Sequence, residues 1–288
     1  MPDTNNVIYA QQYSENIMQL AQQGASKLWG AAYQKTNVRG KNFFQDQIGQ
    51  WTMSKKVGRN SATPSSDPAL ARRMAVMEAY NDNVMLDRSD ELKVISDPRS
   101  SYSMAAGKAI GRQIDDVAIA ALGGNAFAGE SGGTSVPLPS GQIIVNGGTG
   151  LTFAKVNQAQ RTLNDNDVEE ADRIFVCSPA GIEDLMAEDK ATSSDYNTLK
   201  AIQSGQFAGN TWMGFQWIMS TRLDVAANIR ECFAYHKDGL CLGLPEGPFV
   251  RTDERADLSY AWQIYYELNI GATRLEEDRV VRVDIDES

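Results

Sequence analysis

Between Pro98 and Gly124 the chain carries one long helical stripe, in which Ala106, Ile110, Ile114, Val117 and Ala121 recur at spacings of four, four, three and four. Asp97 supplies an N-cap, Pro98 suits the first helical position, and Gly123-Gly124 supplies the stop. At ~1.5 Å per residue this is a rod of roughly 35 to 40 Å. Ala105, Ala106, Gly107, Ala109 and Gly111 keep one side of it thin, so a sheet or another helix can approach closely. Any fold for this chain has to be laid out along that rod.

Downstream, residues 123 to 150 hold nine glycines and two prolines, which predicts a loop with at most one short strand, at Gln142 to Asn146. Beyond this boundary Phe153, Val156, Ala159 and Leu163 predict a second helix, and Arg173 to Cys177 a short buried strand. Ser178-Pro179 then caps a third helix carrying Ile182, Leu185 and Met186. Helix, strand and helix in this order describe an α+β or α/β domain. Gln206 to Ser220 and Glu231 to His236 read as strands and turns. Near the end Trp262, Ile264, Tyr266, Leu268 and Ile270 alternate with polar neighbours, as do Val281, Val283 and Ile285; Gly271-Ala272 is expected between these two strands.

Ahead of the rod, Tyr13, Ile17, Leu20, Gly24, Leu28 and Ala31 predict a Gln-rich amphipathic helix over the first 37 residues, ending near Asn37 to Gly40. From Lys41 to Asp97 the pattern becomes strand-like in Phe43 to Met53 and Met74 to Val94, around the turn-forming stretch Gly58 to Pro68. Val84, Leu86, Leu92 and Val94, interspersed with Asp87, Arg88, Asp90, Glu91 and Lys93, read as a two-sided ribbon. Helix competes over Ala69 to Tyr80, where Ala, Met, Arg and Glu favour it.

Composition narrows the function classes. Thirty-seven acidic against 27 basic residues give a net charge of −10, which opposes unspecific adhesion to nucleic acid or an anionic membrane and argues against a dedicated DNA reader. Cys177, Cys232 and Cys241 form an odd set without CxxC spacing, so neither a disulfide framework nor a zinc site is indicated. Met1 to Ala10 lacks a basic region followed by an apolar core, and nowhere do ~18 apolar residues run together, so neither export by a signal peptide nor membrane insertion is expected.

Searches for chemistry return structural readings. His236, the single histidine, ends an apolar run and reads as a structural or exposed strand-end residue, not a general base. Cys177 continues the apolar run Ile174 to Val176 and reads as buried packing. Gly147-Gly148-Thr149-Gly150 and Gly129 to Gly133 lack the Lys-Ser or Lys-Thr of a phosphate loop. Asp165, Asp167, Glu169 and Glu170, like Glu276, Glu277 and Asp278, read as solvated turns. No catalytic, cofactor-binding or metal-ligating residue is assigned, and no cofactor is expected.

Wording and order carry more. Asp97-Pro98-Arg99-Ser100-Ser101-Tyr102 leading into Ala109-Ile110-Gly111-Arg112-Gln113-Ile114-Asp115 resembles the start of the spine helix in podophage-like major capsid proteins. Gly271-Ala272-Thr273-Arg274 followed by Val280-Val281-Arg282-Val283 is similar to their closing strands, and the Gln-rich N-terminal helix fits as well. The resemblance covers nearly the whole chain and implies an α+β, Hong Kong 97-like phage capsid fold. Its parts would be an N-terminal arm (1–40), an extended loop with flanking strands (41–96), a peripheral domain holding the spine helix (97–123) and Gly-rich connection (97–149), an axial domain (150–250) and closing peripheral strands (251–288).

The same resemblance implies a structural, non-enzymatic head protein. Copies of it would join into pentamers and hexamers of an icosahedral shell around phage double-stranded DNA, held without specific contacts, with portal and scaffolding or decoration proteins as further partners and no membrane. The virion would be its location, after assembly in the bacterial host cytoplasm. Lys41, Lys55 and Lys56 lie where some members crosslink, but no crosslink is assigned. Two alternatives stand beside this reading, an encapsulin-like compartment shell and, more distantly, an α/β hydrolase or transferase.

Overall fold

A computed structural model of the chain describes residues 21–63, 65–86, 99–188, 211–245 and 247–288, with the side chains of 99–101 apart. The rod is present as helix α1, Arg99–Gly123, of 25 residues. Its expected cap at Asp97-Pro98 lies outside the described residues. Ala106, Ile110, Ile114, Ala118 and Leu122 form its buried stripe, while Val117 and Ala121 are half-buried, because steps of four outrun a 3.6-residue turn and the stripe winds. The helix stops where expected, with the Gly124 amide donating to the Ala120 carbonyl at 2.9 Å.

The helix expected over the first 37 residues is corrected over 21–37, residues 1–20 lying outside the described set. A single 3-10 turn, Trp29–Ala31, is followed by the strand Tyr33–Thr36, which pairs in parallel with Leu240–Leu244. Gly24 and Gly30 each cost a helix about 1 kcal/mol relative to alanine. Asp115 on α1, itself fully buried, accepts the Lys27 and Leu28 amides at 3.1 and 3.0 Å, tying the start of the 3-10 turn to the rod. Gly111 makes the approach possible, since a Cβ there would meet the Ser26 nitrogen at 2.7 Å.

A seven-stranded sheet runs in the order Ile143–Ile144, Val280–Asp286, Ile229–His236, Arg173–Cys177, Phe215–Met219 and Thr211–Trp212, with Val225–Ala226 also pairing with Ile229–His236. Arg173–Cys177 is buried throughout, as its continuous apolar run predicts, and is parallel to Phe215–Met219. Phe175 stacks on Trp217 and meets Phe215 edge-on. Helices α2, Phe153–Asp165, and α3, Pro179–Ala187, accompany the sheet. Both start as the sequence predicts: Thr152 caps α2, and the Ser178 hydroxyl accepts the Gly181 amide at 3.1 Å with Pro179 at the first helical position.

A four-stranded sheet, in the order Asn42–Ile48, Leu70–Val76, Ala126–Ala128 and Thr134–Val136, decides between two readings and corrects one expectation. Leu70–Val76 is a strand and not the competing helix, because ladders on both of its sides outweigh a weak local preference. The Gly-rich stretch is not all loop: it holds the hairpin Ala126–Ala128 with Thr134–Val136 as well as Ile143–Ile144.

The remaining long strand, Ala261–Arg274, includes Gly271-Ala272, which therefore lie within a strand and not between two. There Gly243 opposes Gly271 and Leu242 opposes Ala272. Its first half pairs with Phe249–Arg255, and Glu78–Leu86 pairs with it too. Val280–Asp286 pairs along its length with Ile229–His236. By contacts there are two compact units: one from the described residues of Met1–Ser26, Ala79–Arg112 and Gly247–Leu268, the other from those of Lys27–Glu78, Gln113–Glu246 and Asn269–Ser288.

Candidate assembly surface and its anchors

The residues tested for chemistry are built into the fold. His236 is buried; its Nδ1 accepts the Asp238 amide at 3.2 Å and faces the Arg279 guanidinium at 3.3 Å, closing the 3-10 turn Lys237–Gly239. The three thiols are buried and free, and desolvation pushes Cys232 and Cys241 up to about 12, the reverse of an activated nucleophile. Asp165, Asp167, Glu169 and Glu170 are exposed, as expected of solvated turns. Glu277 is not, which corrects that reading for one residue of the second acidic group.

Glu277 belongs to a charged cluster beneath the strand pair Asn42–Ile48 and Leu70–Val76. Arg73, in the middle of the second strand, donates to Glu277 at 2.5 Å and to the Leu275 carbonyl at 2.9 Å. Arg274, with no solvent exposure, donates to the carbonyls of Leu122, Gly124 and Val136 at 2.9, 2.7 and 3.0 Å, and its Nε stands 3.6 Å from Glu277. A helix leaves its last carbonyls without partners, and the C-terminal end attracts cations, so Arg274 closes α1 while Glu277 ties that end to the strand pair. Burial lowers the Arg274 pKa, with Glu277 opposing the shift. No motif marks this cluster in the sequence, but Arg274 has the same parity as the buried Ile264, Leu268 and Ile270.

Away from this root the strand pair becomes apolar and exposed. Ile48 and Leu70 oppose each other in register and are both largely exposed, as is Trp51, while Met53 and Val57 are almost wholly exposed. The Gly49 amide extends the ladder to the Ala69 carbonyl, and the Trp51 indole donates to the Ser66 hydroxyl at 2.9 Å. Residues 47 to 66 contain Lys55, Lys56 and Arg59 and no acid. Lys41, Lys55 and Lys56 are all exposed. Across the strands Asp46 pairs with Arg72 at 2.5 Å, and that bond holds the Asp46 carboxyl below its ordinary range. A groove of about 890 Å³ beside this pair is lined by Ile48, Leu70, Arg72, Ala128 and Glu130 among others.

Three further anchors hold the seven-stranded sheet and its connections. Lys155 on α2 is buried, donating to the carbonyls of Thr149, Gly150 and Asp284 at 2.7, 2.8 and 3.2 Å, and burial lowers its pKa. Glu287 joins the Ser178 hydroxyl to Arg230, so the last residues close the start of α3. Asp116 on α1 makes a two-point ion pair with Arg222. No helix of the described residues is long and apolar enough to cross a membrane.

The arrangement is thus a mixed sheet-and-helix body with a firmly rooted strand pair that ends in exposed apolar and basic side chains. The family model described as phage capsid protein matches residues 6–287. The chain belongs to the phage capsid protein family. No curated protein matches the sequence. Among solved structures, this capsid protein is similar to the capsid of the cyanophage P-SCSP1u, at 16% identity and a TM-score of 0.74, over 98% of this chain and 94% of that one. It is similar also to the capsid of Ralstonia phage GP4, at 12% identity and 0.75, over 100% and 98%. The capsid of a native GTA particle shares 13% identity at 0.71, over 99% and 97%. At these identities the likeness establishes the Hong Kong 97-like fold, and the family match establishes a structural capsid subunit that assembles with copies of itself in a virion. It favours the viral shell over the encapsulin-like and α/β enzyme alternatives.

Proposed function

We propose that the capsid protein builds pentamers and hexamers, in which the strand pair Asn42–Ile48 and Leu70–Val76 is the extended loop that reaches a neighbouring copy. The observation that carries this reading is the contrast along one ribbon. Its root is fixed by Arg73, Glu277 and Arg274, whereas its far end presents Ile48, Trp51, Met53, Val57 and Leu70 to water. A lone subunit gains nothing from such exposure. A neighbour that covers it removes apolar surface worth roughly 25 cal/mol per Å².

In this reading residues 1–40 are the arm, α1 is the spine of the peripheral domain, and much of 150–250, with its helices and sheet, is the axial domain facing the centre of each ring. Head-to-tail contacts close rings, and rings close a shell. The net charge of −10 suits a wall that confines double-stranded DNA without gripping it. Portal and scaffolding or decoration proteins complete the set of partners, and assembly takes place in the bacterial host cytoplasm.

The test replaces residues 52–66 with Asn-Gly, which keeps the Gly49–Ala69 ladder bond, sets Trp51 opposite Asp67 in the register of Ile48 with Leu70, and closes the pair with a tight turn. The subunit is expected to fold with unchanged stability and to form few or no shells by electron microscopy. Normal particles from this variant would refute the placement of the extended loop.

A further inference from the structure

Fifty-five positions separate Cys177 from Cys232, and nothing in that spacing marks them as a pair. The ladder does. Arg173–Cys177 runs antiparallel to Ile229–His236, with Phe233 opposite Val176 and Ala234 opposite Phe175. One step further in the same register sets Cys232 directly across from Cys177, and directly opposed residues point to the same face of a sheet. Cys232 has Val283 on its other side, so the two thiols lie on the central strands of the seven-stranded sheet.

Two further observations bring the sulfurs together. Burial pushes the Cys177 thiol well up, and the neighbouring Cys232 adds to that rise. The amide of Ser178, next after Cys177, donates to the Cys232 sulfur and pulls against its burial. Both side chains are without solvent exposure, and both thiols are free. Cys241 has no such neighbour in its own ladders, where Tyr33 and Thr273 stand opposite it.

Opposed Cα atoms in an antiparallel ladder are about 4.5 Å apart at one class of position and about 5.5 Å at the other. A disulfide spans Cα separations of about 4.4 to 6.8 Å, so either class admits the bond. The Cβ atoms, about 4.5 Å or more apart across a ladder, have to close to about 3.8 Å. That approach is small, and it leaves the rest of both strands paired.

We infer that Cys177 and Cys232 form a latent disulfide site, free under reducing conditions and joined by hydrogen peroxide into a staple between the two central strands of the sheet. The step balances: two S–H bonds and the O–O bond break, one S–S bond and two O–H bonds form, and two waters leave. The sulfurs are oxidised and the peroxide oxygens reduced. Peroxide is small and uncharged, so local openings of the sheet admit it where larger reagents are excluded. Reaction is slow, because burial keeps both thiols protonated and the thiolate is the attacking form. A shell made in a reducing cytoplasm and then released meets this change once; that timing rests on the proposed place of assembly, whereas the bond itself does not.

The test uses the full-length free subunit, held with dithiothreitol or with hydrogen peroxide, then unfolded, alkylated and mapped by peptide mass spectrometry. With dithiothreitol, all three cysteines are expected to be alkylated. After peroxide, Cys177 and Cys232 are expected in one linked peptide lighter by two hydrogens, with Cys241 alone alkylated. The oxidised chain is expected to melt about 5 to 15 °C above Cys232→Ala treated in the same way. Exposed methionines such as Met53 gain oxygen in both chains, so the difference reports the bond. Three alkylated cysteines after peroxide, or oxygen added to Cys177 or Cys232 in place of the link, would overturn the inference. A link through Cys241 overturns it too, as does a linked wild-type chain that melts no higher than the reduced one, a comparison that stands even where Cys232→Ala does not fold. None of these readouts involves assembly, so their failure leaves the shell-forming reading intact, and failure of the loop variant leaves the disulfide site intact.

Discussion

Replacing Arg274 by methionine keeps most of the side-chain volume and deletes the guanidinium. Three carbonyls, those of Leu122, Gly124 and Val136, then lose their donor, and Glu277 keeps only Arg73. A buried acceptor left unmade costs about 1 to 3 kcal/mol, so three set a ceiling of about 9 kcal/mol. Part is recovered because a buried cation no longer has to be stripped of water, and breaking one partner of a buried charge cluster typically costs about 3 to 5 kcal/mol. At about 2 to 4 °C per kcal/mol, the expected fall in melting temperature is about 6 to 20 °C. Thermal and urea unfolding of the free subunit, followed by circular dichroism, measures it. A double-mutant cycle should find stronger coupling between Arg73 and Glu277, in contact at 2.5 Å, than between Arg274 and Glu277 at 3.6 Å. A loss below about 1 kcal/mol for Arg274→Met would refute the claim that this cluster roots the strand pair.

Gly150→Ala would place a Cβ 1.9 Å from the Asp184 carboxylate, which accepts the Leu151 amide, so a loss of about 1 to 3 kcal/mol is expected in the same unfolding assay. Burial raises the Glu231 carboxyl above its ordinary 4.5, with Arg282 opposing the shift. The folded state therefore holds this proton more tightly than the unfolded one, and its contribution to stability falls as pH rises through the window just above 4.5. Glu231→Gln should flatten the pH profile of stability in that window; an unchanged slope would contradict the assignment. Because Cys177, Cys232 and Cys241 are buried, a thiol reagent at neutral pH should label none of them in the native subunit and all three in denaturant. Fast native labelling of any one would contradict the packing.

Local signals were the ones the sequence stated clearly. The spine helix and its glycine stop, the buried strand Arg173–Cys177, the Ser178-Pro179 cap and the alternating run into Ile270 all depend on neighbours within a few residues, so spacing alone locates them. The resemblance to capsid proteins rested on the same segments, in their order along the chain. Errors fell where a remote partner overrode a local preference. Apolar residues up to Ala31 are spaced for a helix, yet Asp115, some 87 positions away from Leu28, takes the amides of this stretch and Tyr33–Thr36 pairs with Leu240–Leu244. Ala126–Ala128 became a strand because Arg73 and Met74 stood ready to pair with it, not because its composition asked for one.

The strand pair and its anchors show the same division. Exposed apolar and basic residues between Ile48 and Leu70 can be read from the sequence, because excess apolar surface in a turn-rich segment is a local property. That Arg73, Arg274 and Glu277 meet beneath it required the chain to bring positions 73, 122, 136 and 274 together. Periodicity records only which face of an element is buried. Which charge satisfies which carbonyl inside that face is settled by the tertiary fold, since an ion stripped of water is tolerated only where its particular partners already wait.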